Sequence, residues 1–430
     1  MSAKPNTLKE SLARALAEGP FPGVIAQLLA HPVYSLASQI NAEYFEAVAR
    51  RRSMSPRVLH WAALDMTIGF PQRLALVCRG YLSALLVQKL VCSPSKPRHA
   101  AAVVSRRHFV GLKNSDATCS STLQGHSNSV TSVAFHPSAP YLATGSNDHT
   151  AKLWLLNADC SAATCVSTLQ GHSSYVFSVA FHPSAPYLAT GSDDETAKLW
   201  LLNADCSAVT CVSTLQGHSN NVLFVAFHPS APYLATGSSD KTAKLWQVNA
   251  DCSAATCVST LQGHSDWVFS VAFHPSAPYL ATGSSDGTAK LWLLNADCSS
   301  ATCVSTLQEH SDEVHSVAFH PSAPILATGS RDMTTKLWRV NDDGTATCVF
   351  TLEGNGDTVR SVAFHPSEPI LATCTDDGIA KLWLLNADCS AATCVSTLEG
   401  HSDPVRSVAF HPSAPYLATG SNSGSVKILQ

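Results

Sequence analysis

The sequence predicts an all-β fold assembled from seven copies of one repeating unit. The phrase VAFHPSxPxLAT begins at seven valines, with successive offsets of 46, 46, 46, 46, 45 and 46 residues: Val133, Val179, Val225, Val271, Val317, Val362 and Val408. A fixed period of this size indicates one supersecondary unit that can bury its apolar face only against neighbouring copies. Within each unit, runs rich in Val, Phe, Tyr, Thr and Trp alternate with gaps that hold the Pro and Gly residues. This alternation is typical of short strands joined by tight turns.

The second unit shows the predicted strands most clearly. They span 176–181, 187–191, 196–202 and 210–215, and the gaps between them are His-Pro-Ser-Ala-Pro, Ser-Asp-Asp-Glu and Asn-Ala-Asp-Cys-Ser-Ala. Four strands in a repeat of about 45 residues match the size of one β-propeller blade. We therefore expect a propeller over residues 117–430.

The two ends of the array predict how the ring closes. A segment of fourth-strand type, residues 117–123, precedes the first repeat, and Gln430 follows the third strand of the seventh. Two unpaired edge strands would invite aggregation, and pairing them with each other removes both edges. We expect seven blades closed by the N-terminal strand.

The repeat carries residues that resemble a known family. Gly-His pairs open the units at His126, His172, His218, His264 and His401, and Lys-Leu-Trp closes them at Trp154, Trp200, Trp246, Trp292, Trp338 and Trp383. In this respect the chain resembles the WD-repeat β-propeller family over about three quarters of its length. The resemblance implies a hydrogen-bonded set of His172, Thr190, Asp194 and Trp200 in the second blade.

Several positions depart from that family pattern. The Asp of the Trp-Asp pair is replaced throughout, by Leu155, Leu201, Gln247, Leu293, Arg339 and Leu384. Asn355 stands for His in the sixth unit, and Ser423 and Leu429 stand for Asp and Trp in the seventh. We expect the last two blades to be the loosest.

Residues 1–116 lack the repeat and differ in charge from the rest. They hold 15 Lys and Arg against 6 Asp and Glu, which leaves 12 basic and 25 acidic residues for 117–430. Apolar residues at helical spacing predict a helical region over 1–92, followed by a linker over 93–116 with Pro94 and Pro97. Residues 56–86 faintly resemble an F-box, which implies docking on a Skp-type adaptor of a cullin-based ubiquitin ligase; a helical cap or an oligomerisation segment is the favoured alternative. The excess of basic residues over 1–116 alternatively predicts that this N-terminal region binds an acidic partner, which could be a nucleic acid, or associates with the acidic propeller.

Composition bears on compartment and chemistry. Residues 1–19 contain no apolar signal core, and 74–92 are interrupted by charged residues, so we expect a cytoplasmic or nuclear protein without a membrane span. Five units carry Cys-x4-Cys, but the pairs belong to different blades and do not converge on one metal centre. We interpret them as structural thiols, with a hairpin disulfide as the alternative in an oxidising compartment.

The histidines do not indicate an enzyme. Seven belong to the Phe-His-Pro turn and six to the Gly-His position, and a residue present in every blade is a requirement of the fold. No phosphate loop, metal pair or nucleophile motif occurs. We expect no enzyme, cofactor or metal. The function hypotheses are a protein-interaction scaffold, a ubiquitin-ligase substrate receptor and, least supported, a propeller hydrolase.

Specificity is predicted where the units differ from one another. Variation concentrates three and five residues after the Gly-His position and one residue before the turn Asp, and the family resemblance places these positions on the partner-binding rim of the top face. The predicted partner-binding residues are Tyr175, Phe177, Leu223, Trp267, Phe269, His315, Arg331, Arg360 and Arg406. Apolar residues on blades two to four and Arg on blades five to seven suit a peptide with an apolar end and a carboxylate or phosphate.

Overall fold

The computed structural model describes residues 119–430, apart from 204 and 250. These residues form 28 strands arranged in seven four-stranded antiparallel sheets, one sheet for each blade of a propeller. In every blade built from consecutive strands, sequence order is also spatial order, from the inner strand at the channel to the outer strand. The predicted seven-bladed all-β propeller is confirmed.

The strand bounds repeat from blade to blade. The first two blades are β2 (Val130–Phe135), β3 (Tyr141–Ser146), β4 (Ala151–Leu156), β5 (Ala163–Leu169), β6 (Val176–Phe181), β7 (Tyr187–Ser192), β8 (Ala197–Leu202) and β9 (Val209–Leu215). The third and fourth are β10 (Val222–Phe227), β11 (Tyr233–Ser238), β12 (Ala243–Val248), β13 (Ala255–Leu261), β14 (Val268–Phe273), β15 (Tyr279–Ser284), β16 (Ala289–Leu294) and β17 (Ala301–Leu307). The fifth and sixth are β18 (Val314–Phe319), β19 (Ile325–Ser330), β20 (Thr335–Val340), β21 (Ala346–Leu352), β22 (Val359–Phe364), β23 (Ile370–Thr375), β24 (Ala380–Leu385) and β25 (Ala392–Leu398).

The seventh blade joins the two ends of the array. It contains β26 (Val405–Phe410), β27 (Leu417–Ser421), β28 (Val426–Leu429) and, as its outer strand, β1 (Cys119–Leu123). β1 runs antiparallel to β28, with Leu123 opposite Val426 and Cys119 opposite Leu429. The predicted closure by the N-terminal strand is therefore confirmed over the residues of that strand that the structure describes, 119–123.

The hydrophobic core lies in the seams between blades. At the seam of the first and second blades, Tyr141 and Leu153 pack with Val176, Leu188 and Trp200. Seven such clusters follow one another round the ring, and the cluster that contains Leu123 and Ile428 joins the last blade to the first. No blade buries its apolar face by itself, as the repeat period predicts.

A column of serines links the inner strands around the channel. The Ser132 hydroxyl accepts a hydrogen bond from the backbone N–H of Val179 in the next blade, at 3.1 Å. Five other inner-strand serines make the same contact with the following blade: Ser178, Ser270, Ser316, Ser361 and Ser407. In the third blade the position is occupied by Phe224. The column is thus broken at one point of the ring.

Three expectations fall outside the described residues. They are the helical region over 1–92, the F-box resemblance at 56–86 and the linker over 93–116.

Candidate functional site: the cavity at the centre of the ring

A four-residue hydrogen-bond network holds each of the first five blades together. In the second blade, His172 Nδ1 lies 2.8 Å from Asp194 Oδ2 and His172 Nε2 lies 2.7 Å from Thr190 Oγ1. Trp200 Nε1 donates to the same Thr190 hydroxyl at 2.9 Å. Since a carboxylate can only accept, Nδ1 carries the proton that His172 donates to Asp194. The network that the family resemblance implies is present, and it fixes the turn Asp beside the start of the inner strand.

The last two blades modify this network. In the sixth, Asn355 Oδ1 accepts from the Thr373 hydroxyl at 2.9 Å, and Trp383 still donates to that hydroxyl. In the seventh, His401 Nε2 keeps its contact with Thr419 at 2.8 Å, although Leu429 replaces the indole donor. Burial, followed by the nearby Lys427, lowers the pKa of His401 to about 4. Both networks are smaller than the others, while the expectation that these blades are the loosest stays a prediction.

The three variable positions of each blade lie together. In the second blade, the N–H of Asp193 donates to the carbonyl of Tyr175 at 2.8 Å. The same bond joins the first and third variable positions in all seven blades, namely Asn147 to Ser129, Ser239 to Asn221, Ser285 to Trp267, Arg331 to Glu313, Asp376 to Thr358 and Asn422 to Pro404. The blade network next to them is the same in the first five blades and reduced in the last two, so the sequence differences at this end of the propeller lie on a largely repeated structure.

The second variable positions surround a cavity of about 430 Å³ at the centre of the ring. All seven inner strands contribute one such residue to its lining: Thr131, Phe177, Leu223, Phe269, His315, Arg360 and Arg406. Trp267 also lines it. Seven of the nine predicted binding residues therefore meet at one cavity, because inner strands converge on the axis of a propeller.

One side of the cavity is apolar. Trp267 and Tyr175 are 46% and 40% exposed, and each packs edge-on against the Phe two residues further along, with ring centroids 6.0 and 6.3 Å apart. Phe177, Leu223 and Phe269 are half-buried in the lining. Exposed aromatic residues beside half-buried ones are the usual composition of an interface anchor.

Phe224 belongs to this apolar side and was missed by the sequence prediction. Its ring lines the cavity and packs at the seam of the third and fourth blades. It lies outside the three variable positions, since in the other six blades the place is held by the serine of the inner-strand column. The break in that serine column is the signal that would have identified it.

The opposite side of the cavity carries a charged cluster. Arg360 donates from Nε and Nη2 to the two carboxylate oxygens of Asp376, at 2.8 and 2.5 Å, and its Nη1 lies 3.0 Å from His315 Nε2. A guanidinium can only donate, so His315 Nε2 is the acceptor and the imidazole is neutral. Burial, followed by the charge of Arg360, lowers the pKa of His315 to about 3. Hydrogen bonds and charge from Arg360 hold the pKa of Asp376 below its usual range although burial opposes this.

Arg406 is the second cation of this cluster. Its Nε donates to Asn422 Oδ1 at 2.9 Å, and its Nη1 lies 3.5 Å from Asp376 Oδ1. Burial first, and then repulsion from Arg360, lower the pKa of Arg406. Two guanidinium groups thus share one carboxylate.

Two of the nine predicted binding residues, Tyr175 and Arg331, lie outside the cavity lining. Arg331 is 55% exposed and lies 3.7 Å from Asp312 and from Glu313, and Tyr175 contacts Phe177 and His149. Neither residue lines the cavity. They belong to its outer edge.

The described part of the chain shows little that would hold a metal. No group of three or more His, Cys, Asp or Glu suitable for a metal ion occurs in it. All 13 described cysteines are free thiols, with the first of each Cys-x4-Cys pair buried and the second exposed. No helix among these residues is long and apolar enough to cross a membrane.

The described residues form a seven-bladed propeller whose blades repeat the same strands and whose central cavity is lined by the variable positions. Such propellers are a class of protein-interaction fold. The model of the WD domain, G-beta repeat family matches seven segments of the chain: 117–154, 163–200, 209–247, 255–292, 301–339, 346–383 and 392–429. They cover more than half of the sequence. The chain belongs to this WD-repeat family.

Curated relatives resemble short stretches of the chain. Target of rapamycin complex subunit wat1 of Schizosaccharomyces pombe is 34% identical over 96 residues, which are 22% of this chain and 31% of that protein. Nuclear distribution protein PAC1 of Arthroderma otae is 35% identical over 79 residues, 18% of this chain and 17% of that protein. The chain spans less than a third of the length of either relative.

Proposed function

We propose that this chain is a non-enzymatic interaction scaffold that binds a peptide segment of a partner protein at the central cavity of the top face. The observation that carries the proposal is the convergence of the second variable position from all seven inner strands on that cavity. A repeat whose blades are otherwise near-identical differs where a ligand would be recognised. One relative is, by its name, a subunit of a complex, which agrees with a scaffold.

Two unpartnered polar atoms favour a peptide as the occupant. Asn147 Oδ1 and Ser239 Oγ are buried and have no hydrogen-bond partner among the described residues, and both residues line the cavity. Buried polar groups normally find a partner. Rotation of either side chain towards the cavity would bring its oxygen within reach of the backbone N–H groups of a bound peptide, as occurs when main-chain groups contribute to peptide recognition.

The test is a selection of random peptides on the full-length protein, followed by affinity measurements. Trp267→Ala should weaken the selected peptides by about 2 kcal/mol or more if the indole is a buried anchor. The matched control is Leu293→Ala, which truncates a residue of similar exposure on the same blade but at the opposite end, where Leu293 pairs with Tyr279. Selected peptides that bind Trp267→Ala and the parent equally well, or a selection that enriches no peptide, would contradict the proposal.

The substrate-receptor hypothesis remains a separate prediction. It depends on residues 56–86, and co-purification of a Skp-type adaptor with the full chain would distinguish it from a simple scaffold. We also propose a cytoplasmic or nuclear setting, since 13 free thiols suit a reducing compartment.

A further inference from the structure

Arg406 has unused hydrogen-bond donors that face the cavity. A guanidinium carries five N–H donors. One of them, Nε–H, binds Asn422, and Nη1 makes a 3.5 Å contact with Asp376 that is longer than a good hydrogen bond. The side chain is 32% exposed and lines the cavity. Arg406 can therefore still bind a planar anion with both terminal nitrogens.

Arg360 is already occupied by groups of the protein. Asp376 accepts from two of its nitrogens and His315 from the third. The Asp376 carboxylate is thus mainly the partner of Arg360, and His315 contributes no charge. Among Arg360, Arg406 and Asp376, two cations and one anion leave a single uncompensated positive charge, and that charge is on Arg406. The carboxylate of Glu313, which lies 3.5 Å from His315 Nε2, is offset by Arg331 at 3.7 Å.

We infer that the cavity accepts a peptide bearing one carboxylate, bound by Arg406, and one bulky apolar side chain, packed against Phe177, Leu223 and Phe224. The inference rests on the proposed function and specifies the partner. The apolar residues lie on the second and third blades and Arg406 on the seventh, so the two groups face each other across the cavity. Arginine is the residue that suits bidentate recognition of a carboxylate.

A carboxylate fits this site better than a phosphate does. A phosphorylated side chain carries roughly two negative charges near neutral pH. The second charge would face Asp376, whose Oδ1 lies 3.5 Å from the Arg406 nitrogen that binds the ligand. One negative charge matches the one uncompensated positive charge, whereas two would exceed it.

The experiment uses synthetic versions of a cavity-dependent peptide obtained from the selection on the full-length protein. Four versions are compared by fluorescence anisotropy: the parent, its Glu or Asp replaced by the amide, the same residue replaced by phosphoserine, and the parent with an amidated C-terminus. The last version distinguishes a side-chain carboxylate from a terminal one. Each is measured with the unaltered protein, with Arg406→Gln, and with the control Arg339→Gln, which removes a positive charge at the opposite end of a blade, where Arg339 pairs with Ile325.

The expected result is that removing the carboxylate weakens binding about tenfold or more, as for a hydrogen bond to a charged group. Phosphoserine should bind no more tightly than the parent. With Arg406→Gln the acid and amide peptides should bind alike, whereas Arg339→Gln should keep the difference. The change made in the peptide alone provides a test that does not depend on how well Arg406→Gln folds.

Three results would overturn the inference. They are selected peptides that lose affinity with Trp267→Ala but tolerate the amide, tighter binding of phosphoserine, and an acid preference that survives in Arg406→Gln. In each of these the proposed function stands, because binding still depends on the cavity. Binding that is insensitive to Trp267→Ala contradicts the proposed function instead.

Discussion

Nη1 of Arg360 lies 3.0 Å from Nε2 of His315, and this contact connects the two sides of the cavity. The His315 ring also packs against Phe269, with ring centroids 4.7 Å apart and the ring planes tilted by 50°. Trp267 packs on Phe269 in turn. The apolar and charged groups, which the sequence presents as separate sets, form one contiguous chain of side chains through a buried neutral imidazole.

His315 is accordingly expected to position Arg360. His315→Leu removes an acceptor from a half-buried guanidinium and should lower stability by about 1 kcal/mol or more. His315→Gln offers Oε1 in the same region and should recover part of the loss. Thermal melts of the two variants and the parent provide the measurement. Equal melting temperatures for the Leu and Gln variants would show that Nε2 contributes nothing as an acceptor.

The Thr190 hydroxyl is the centre of its blade network, and its replacement should be costly. Thr190→Val leaves the indole N–H of Trp200 and Nε2 of His172 without a partner, at about 1–3 kcal/mol for each unsatisfied group, while His172 Nδ1 keeps Asp194. Thr419→Val in the seventh blade is the matched control, because Leu429 leaves that hydroxyl with only its contact to His401. Thermal melts should show a larger loss for Thr190→Val. A loss as large in Thr419→Val would refute this role of the indole.

Acid should destabilise the propeller below about pH 6.5. In each Phe-His-Pro turn the histidine Nδ1 accepts from two backbone N–H groups, as in His182 with Ser184 at 3.2 Å and Ala185 at 3.0 Å. Burial lowers the pKa of all seven turn histidines, which are His136, His182, His228, His274, His320, His365 and His411. The unfolded chain therefore takes up protons first as the pH falls, and stability is lost from the unfolded pKa of about 6.5 downwards.

Melting temperatures between pH 7.5 and 5.0 at constant ionic strength measure this dependence. His182→Asn is the diagnostic variant, since an Asn side-chain oxygen can accept from the same turn without titrating. It should show a shallower loss of stability with acid than the parent. A melting temperature that stays constant or rises towards pH 5.0 would contradict the expected coupling between protonation of these histidines and unfolding.

Truncation tests the closure of the ring. Deleting residues 1–125 removes β1 and exposes the edge of β28 together with the core around Ile428, so the melting temperature should fall strongly. Deleting 1–110 leaves β1 in place and should preserve the melting temperature of the propeller. Melting of both proteins at the same temperature would mean that β1 does not hold the ring closed.

The sequence predicts the strands and the ring closure closely, and it predicts the residues and contacts of the cavity less completely. The strands of the second blade fall within a residue of their predicted bounds, because the positions of Val, Trp, Pro and Gly determine where strands form and end. The sequence identifies His315 as a predicted binding residue, but its neutral buried state depends on Arg360 of the next blade. Contacts between blades cannot be inferred from a pattern within one repeat. The pairing of Arg360 with Asp376 lies within the sixth blade, and it depends on side-chain conformations that residue spacing alone does not determine.

Phe224→Ser should separate binding from stability. The substitution restores the serine of the inner-strand column and with it an acceptor for the backbone N–H of Val271, the residue equivalent to Val179 beside Ser132. The new hydrogen bond contributes about 1 kcal/mol, which offsets part of the stabilising free energy lost when the half-buried Phe224 ring is removed. We expect a stability change well below the roughly 3–5 kcal/mol typical of truncating a core Phe, and a clear loss of affinity for cavity-binding peptides. Thermal melts and anisotropy on the same protein sample measure both effects. Unchanged affinity would remove Phe224 from the apolar side of the site, and a stability loss as large as that of a core Phe would mean that its role is structural.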